Sequence, residues 1–285
     1  MPGKLNEVMW PRLVARDELQ GICQYMECGR VSPTDDLDTE DIFQDTQNTP
    51  ICDIYVFGFQ EVVPLKAANI LGTEKSKICM KWNSLIRKTL NKNTCSTQQD
   101  FRCLISCGIM GCLGNKGSVS VRFRLHETSF CLGPTLDLPR NILEHERVII
   151  LGDLNYRISL PEHKIRELVD KGDWNMLLQN DQLRQETRDG QVFEGWHEGV
   201  IRFAPTYKYD LESDSYYGTD DPTKAQKKRA PAWCDRIMWL GEGLKQHSYT
   251  RNESKLSDHR PVKAVFTIQV KVLQTDIVSR VFRGV

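Results

Sequence analysis

Several features are missing from this 285-residue chain, and each absence removes a class of protein. No run approaches the roughly 20 consecutive apolar residues of a membrane-spanning helix, so any membrane contact is expected to be peripheral. There is no net charge: 38 basic residues balance 38 acidic ones, so no global field draws the chain to nucleic acid or to an anionic surface. An anion site must then be a local concentration of charge. The ten cysteines contain no CxxC pair, and the N-terminus has no basic-then-apolar leader pattern. A reducing, intracellular setting is expected, cytoplasmic or peripheral at a membrane. Cys103, Cys107 and Cys112 cluster without histidines at zinc-like spacing and read as small buried hydrophobes. No period of about 20 to 50 residues repeats, which excludes solenoids and propellers.

What is present is a chain of mixed strands and helices. Residues 1–50 have scattered apolar positions around the acidic SPTDDLDTEDIFQDTQNTP, too little to offset the entropy of ordering, and are expected to be loop or poorly ordered. From Cys52 the text becomes β-branched and aromatic: CDIYVFGF reads as a core strand with Gln60 and Glu61 at its tip. Ile78, Trp82, Leu85, Ile86 and Leu90 recur at spacings of three and four, the stripe of an amphipathic helix. GSVSVRFRL alternates as a half-buried strand, and VIILGD is a buried strand ending on an acid. PEHKIRELVDKG predicts a helix stopped by Gly172, and a second runs from Trp174 to about Arg188. DRIMWL and VKAVFTIQV supply two more strands. The expectation is one α/β or α+β domain over 51–272, with 273–285 as a tail. Trp174, Trp196, Trp233 and Trp239 read as packing residues, since no basic stripe interleaves with them to make a nucleic-acid platform.

Glu61, Asp153 and the Asp258-His259 pair share one feature: each stands at or beside a strand end. In layered α/β proteins that is where distant side chains converge. Singly, an acid there more often caps a turn. An Asp beside a His has a second use, because a carboxylate can orient an imidazole and favour its charged form, which then holds an anion.

Taken together, FGFQEVVP, GNKGSVSVRFR, LGDLNYRI, PTYKYD, RAPAWCDRI and SDHRPV resemble the inositol polyphosphate 5-phosphatases, in wording nearest the plant branch. The resemblance implies a DNase I-like four-layer α/β sandwich and Mg²⁺-dependent hydrolysis of the 5-phosphate of inositol polyphosphates or phosphoinositides. It makes Glu61 the Mg²⁺ ligand and Asp153 the base that takes a proton from the attacking water and aims it. Asn155 then donates to phosphoryl oxygens, and His259, oriented by Asp258, holds negative charge. Tyr207, Lys208, Lys227 and Arg229 contact a neighbouring ring phosphate, with Asn115 and Lys116 in a loop near the site. The partner is an inositol phosphate or phosphoinositide headgroup, with peripheral membrane contact and no nucleic acid; a nuclease reading is disfavoured by PTYKY and RAPAWCDR.

The chain departs from the family pattern at two places. No Thr-Trp-Asn strand precedes the glutamate strand; YMECGRVSP stands there, and Trp82-Asn83 falls inside the helical stripe. Between Cys131 and Gly152 the family's Ser-His-Leu strand and Arg-Asn helix have no counterpart, and the gap barely exceeds the dozen or so residues of one parallel crossover. The sandwich is thus expected to lack one or two strands. The alternative reading is a catalytically impaired form that binds phosphoinositides or proteins through Lys208, Lys227 and Arg229.

Overall fold

The computed structural model describes residues 18–27, 52–60, 74–92, 121–125, 127–132, 142–218 and 229–272. Its strands are β1 (Glu18–Glu27), β2 (Ile54–Gln60), β3 (Val121–Leu125), β4 (Thr128–Leu132), β5 (Arg147–Asp153), β6 (His197–Glu198), β7 (Asp235–Leu240), β8 (Leu244–Arg251) and β9 (Val262–Gln269). Its helices are α1 (Glu74–Lys92), α2 (Glu162–Asp170), α3 (Trp174–Gln179) and α4 (Gln182–Arg188).

The strands form two sheets, β2-β1-β9-β8 and β3-β4-β5-β7-β6. Side chains alternate across a strand, and β2 shows the consequence. Tyr55, Phe57 and Phe59 meet Trp82 and Ile86 of α1, while Ile54 and Val56 face the main core. Phe59 and Trp82 lie 5.1 Å apart between ring centroids. The helical stripe seen in the sequence is therefore the face that α1 lays on the first sheet. On β9, Val262, Ala264, Phe266 and Ile268 enter the core from the other side of that sheet and meet Ile149, Leu151 and Ile237 of the second. The rings of Trp239 and Phe266 cross this interface at 5.2 Å.

Residues Arg147 to Gly152 of β5 are all buried, so layers cover both faces of the second sheet. Ile165, Leu168, Leu177 and Leu178 of α2 and α3 join its core. Burying one such aliphatic side chain is worth about 1.5–3 kcal/mol, so this central strand is anchored along its length up to Gly152. The arrangement is the DNase I-like sandwich.

Three expectations are corrected, and one strand is added. Residues 18–27, read as part of a poorly ordered segment, form β1 in the middle of the first sheet, parallel to β2 and antiparallel to β9. The polar letters of ELQGICQYME hide a strand whose order comes from ladders on both edges. At the second place of expected loss, β4 follows β3 as a five-residue strand, antiparallel to β3 and parallel to β5. Neither place lacks a strand; what is short is β4 itself and the crossover after it. The single helix expected from Trp174 to Arg188 is two, because the Asp181 side chain turns back to accept from the Arg184 amide and starts α4 afresh. Strand β8, LKQHSYTR, was not anticipated, because its charged letters sit on an edge strand.

Candidate active site

Asp153 is the last residue of β5, and the chain beyond it turns at once. Gly152 has φ 150° and Asn155 φ 60°, conformations suited to Gly and tolerated by Asn. The Asn155 amide donates to Asp153 Oδ1 at 2.7 Å, closing an Asx-type turn. The Asp153 amide donates to Gln60 Oε1 at 3.1 Å. That bond ties the tip of β2, in one sheet, to the tip of β5, in the other.

Across the β5–β7 ladder Asp153 faces Asp235. Two carboxylates on paired strands repel, and burial adds to this: the Asp153 carboxyl is held above its ordinary range by desolvation first and Asp235 second. His259, the Asn155 amide and Arg157 oppose the shift without cancelling it.

Residues 205–209 lie as a strap between the segments around Ala232 and His259. Tyr207 and Ala232 exchange backbone hydrogen bonds at 3.1 and 2.9 Å, the Arg260 amide donates to Thr206 and the Tyr209 amide to Asp258. The strap puts the Tyr207 ring 4.5 Å from the His259 ring. Tyr207 is buried, and its phenol oxygen accepts from Arg229 at 2.7 Å. Lys208 pairs with Asp258. Burial pushes the Asp258 carboxyl up, but the Lys208 hydrogen bond and charge outweigh it, and the group sits below its ordinary range.

One expectation about this cluster is wrong. Asp258 does not orient His259. The imidazole Nδ1 lies 3.0 and 3.1 Å from the two carboxylate oxygens of Asp235, and both side chains are buried. Neighbouring residues in an extended segment point apart, so Asp258 reaches Lys208 while His259 turns inward. Asp235 was the residue missed. It stands in the quoted RAPAWCDRI motif, and the signal available was its place at the start of an apolar strand, the same position that singled out Asp153 at the end of one.

The structure brings together Asp153, Asn155, Tyr207, Lys208, Arg229, Asp258 and His259. Glu61, Asn115, Lys116 and Lys227 lie outside the described residues. Trp82-Asn83 is inside α1, as expected, with Trp82 buried. Of the tryptophans read as packing residues, Trp233 is fully buried and Trp174 meets it edge-on. Cys52, Cys131 and Cys234 are buried; Cys103, Cys107 and Cys112 lie outside the described residues. Among the described residues no helix is long and apolar enough to cross a membrane.

A comparison with known proteins decides what this arrangement belongs to. The family model described as Endonuclease/Exonuclease/phosphatase family 2 matches residues 133–265. The type IV inositol polyphosphate 5-phosphatase 9 of Arabidopsis thaliana is 50% identical, over 86% of this chain and 76% of its own length. This chain is an inositol polyphosphate 5-phosphatase family member. The type I inositol polyphosphate 5-phosphatase 8 of the same plant is 37% identical, over 85% of this chain and 69% of its own. Among solved structures, the inositol polyphosphate 5-phosphatase domain of SPsynaptojanin, in complex with inositol (1,4)-bisphosphate and calcium ion, aligns with a TM-score of 0.72 and 28% identity. It covers 89% of this chain and 85% of that one. The alignment with the first plant relative extends over 319 positions, more than this whole 285-residue chain, so that 5-phosphatase carries internal segments that this member lacks.

Among the described residues no group of three or more His, Cys, Asp or Glu could hold a metal ion. Glu61, the residue expected to hold a metal, lies outside the described residues, and its neighbour Gln60 is hydrogen-bonded to Asp153. The surroundings fit a hard cation: the donors are carboxylate and amide oxygens, and the facing Asp153 and Asp235 leave negative charge that a dication would offset.

Proposed function

We propose that this chain hydrolyses the 5-phosphate of inositol polyphosphates, free or carried as phosphoinositide headgroups at a membrane surface, with Mg²⁺ held by Glu61. The observation that carries the reading is the meeting of Asp153, Asn155 and an Asp235-bound His259 at the ends of paired strands. Asp153, half-buried with a raised proton affinity, takes a proton from the attacking water and aims it. The Asn155 carboxamide donates to the phosphoryl oxygens during in-line displacement. His259 has Nδ1 fixed on Asp235, which sends Nε2 to the opposite edge of the ring for donation to a phosphoryl oxygen. Mg²⁺, held there by Glu61, would polarise the phosphate and stabilise the departing inositol oxygen. Tyr207, Lys208 and Arg229, joined by Lys227, present donors to a neighbouring ring phosphate, and Arg is suited to that by its planar fork.

Release of inorganic phosphate from inositol 1,4,5-trisphosphate is the test, run with Mg²⁺ and with EDTA. The reading expects metal-dependent release; none at any Mg²⁺ concentration overturns it. A second reading is favoured by the short β4 and the crossover after it: a form that binds phosphorylated inositols without cleaving them. Saturable binding of the same compound with no phosphate release distinguishes it. A parallel assay on vesicles containing phosphatidylinositol 4,5-bisphosphate separates lipid from soluble substrate.

A further inference from the structure

We propose that Arg157 is a positioning residue that fixes which edge of the Asn155 carboxamide faces the reacting phosphate. The proposal rests on the hydrolytic reading above and adds to it a role for Arg157, which stands in the LGDLNYRI motif but has no part in the roles described so far.

A carboxamide has an acceptor edge and a donor edge, and rotation by half a turn exchanges them. Only the NH₂ edge can donate to a phosphoryl oxygen, so the wrong rotamer would turn an acceptor towards an anion. Asn155 is exposed at its turn and cannot be oriented by packing. Among the described residues its side chain has one partner: Arg157 Nη2, which donates to Oδ1. A guanidinium has donors and no acceptor. It therefore accepts one rotamer only, the oxygen towards Arg157 and the NH₂ away from it.

Arg157 is itself held in place. Its guanidinium carbon stands 4.4 Å from the centroid of the Tyr207 ring, a cation–π contact that holds the side chain over that ring. Tyr207 is anchored by its backbone exchange with Ala232 and by Arg229 on its phenol oxygen. The Arg157 backbone is pinned at both polar groups by Gln182: its N–H donates to Gln182 Oε1 at 3.0 Å, and its carbonyl accepts from the Gln182 amide at 2.9 Å. Gln182 follows Asp181, which is bound to Arg236, the neighbour of Asp235. The two proposed donors to the phosphate, Asn155 and His259, are thus both referred to the start of β7. The Tyr207 ring serves both as the seat of Arg157 and as the neighbour of the His259 ring.

The test compares wild type, Arg157→Met, Arg157→Lys, Asn155→Ala and the Asn155→Ala/Arg157→Met double variant in the full chain, with inositol 1,4,5-trisphosphate and Mg²⁺. Arg157→Met is expected to lower kcat about 10-fold or more. KM should stay within about 2-fold, and the double variant should be no slower than Asn155→Ala alone. Arg157→Lys, which keeps a donor without the plane, should recover part of the loss and stands in if the Met variant does not fold. A KM that rises with kcat unchanged would mean that Arg157 binds a phosphate directly, and independent losses in the double variant would mean that it does not act through Asn155; either overturns the proposal. A readout independent of turnover is the side-chain ¹H–¹⁵N signal pair of Asn155, identified by its loss in Asn155→Ala. It should shift in Arg157→Met, and an unmoved signal overturns the proposal. A wild type that releases no phosphate sinks the hydrolytic reading, while the amide signal still decides the role of Arg157.

Discussion

Asp235 and Arg236 are consecutive residues at the start of β7, and their side chains leave the strand on opposite faces. Both are fully buried. Arg236 reaches Glu198 through two hydrogen bonds of 2.6 Å and Asp181 at 3.0 and 3.1 Å, and the Tyr249 hydroxyl adds a bond to Glu198. Burial disfavours its charge, but Glu198 and Asp181 more than offset that, and the guanidinium stays protonated. Every charge in this group has its partner, and it links β6, β7, α4 and β8. Asp235 faces His259 and, across the ladder, Asp153, so two acids share one imidazole. On that face burial and the facing Asp235 hold the Asp153 carboxyl above its ordinary range. One face is a structural ionic cluster; the other is the face to which the proposed reaction is assigned.

The difference can be tested by breaking each side in turn. The largest effect belongs to the structural face. Arg236→Met leaves Asp181 and Glu198 buried without their cation and should cost about 3–5 kcal/mol, read as a lower urea midpoint. Adding Asp181→Asn and Glu198→Gln should restore part of it, since neutral partners are cheaper to bury. Next comes the site face: His259→Ala should lower kcat about 100-fold or more, with a drop in the unfolding midpoint smaller than that of Arg236→Met, since one buried acid rather than two loses its partner. Unchanged turnover in that variant removes His259 from the mechanism. Asp235→Asn should follow, with kcat about 10-fold or more below wild type, because the imidazole loses the group that orients it. Asp258→Asn, by contrast, should leave the orientation of His259 intact, and a loss equal to that of Asp235→Asn would reverse the assignment made here.

The smallest effect is a pH dependence. The folded Asp258 carboxyl lies below its ordinary value of 3.8 because of Lys208. Its contribution to stability is therefore fully present above pH 3.8 and lost as pH falls through the lower folded value. The unfolding free energies of wild type and Asp258→Asn should differ by about 1 kcal/mol or less near neutrality. They should converge in acid, and a gap that widens as pH falls contradicts the pairing.

Much of the site was legible because strand ends can be read from letters. VIILGD is apolar until Asp153, CDIYVFGF until Gln60, and an acid after such a run is conspicuous. Asp235 was not legible in the same way. It precedes its apolar run rather than ending one, and its partner His259 lies 24 residues on, before a strand of the other sheet, a contact that no local pattern encodes. The adjacency of Asp258 and His259 in the chain misled for the same reason: alternation sends neighbours apart. Asp181 was hidden as a helix residue, although its carboxylate both caps α4 and meets Arg236. Strand β1 was hidden because its apolar letters are scattered among polar ones and its pairing is with β2 and β9, far away in the chain.

By itself the sequence determined the two-period and three-to-four-period apolar patterns, and with them α1, β5, β9 and the family whose motifs they present. Those are local quantities, set by which side chains recur on one face of an element. Only the tertiary structure decided that Asp235 rather than Asp258 holds His259, that Arg157 sits between Asn155 and Tyr207, and that residues 18–27 complete a sheet. Each of these depends on register between segments far apart in the chain, where the energy lies in pairs that do not exist until the sheets have closed.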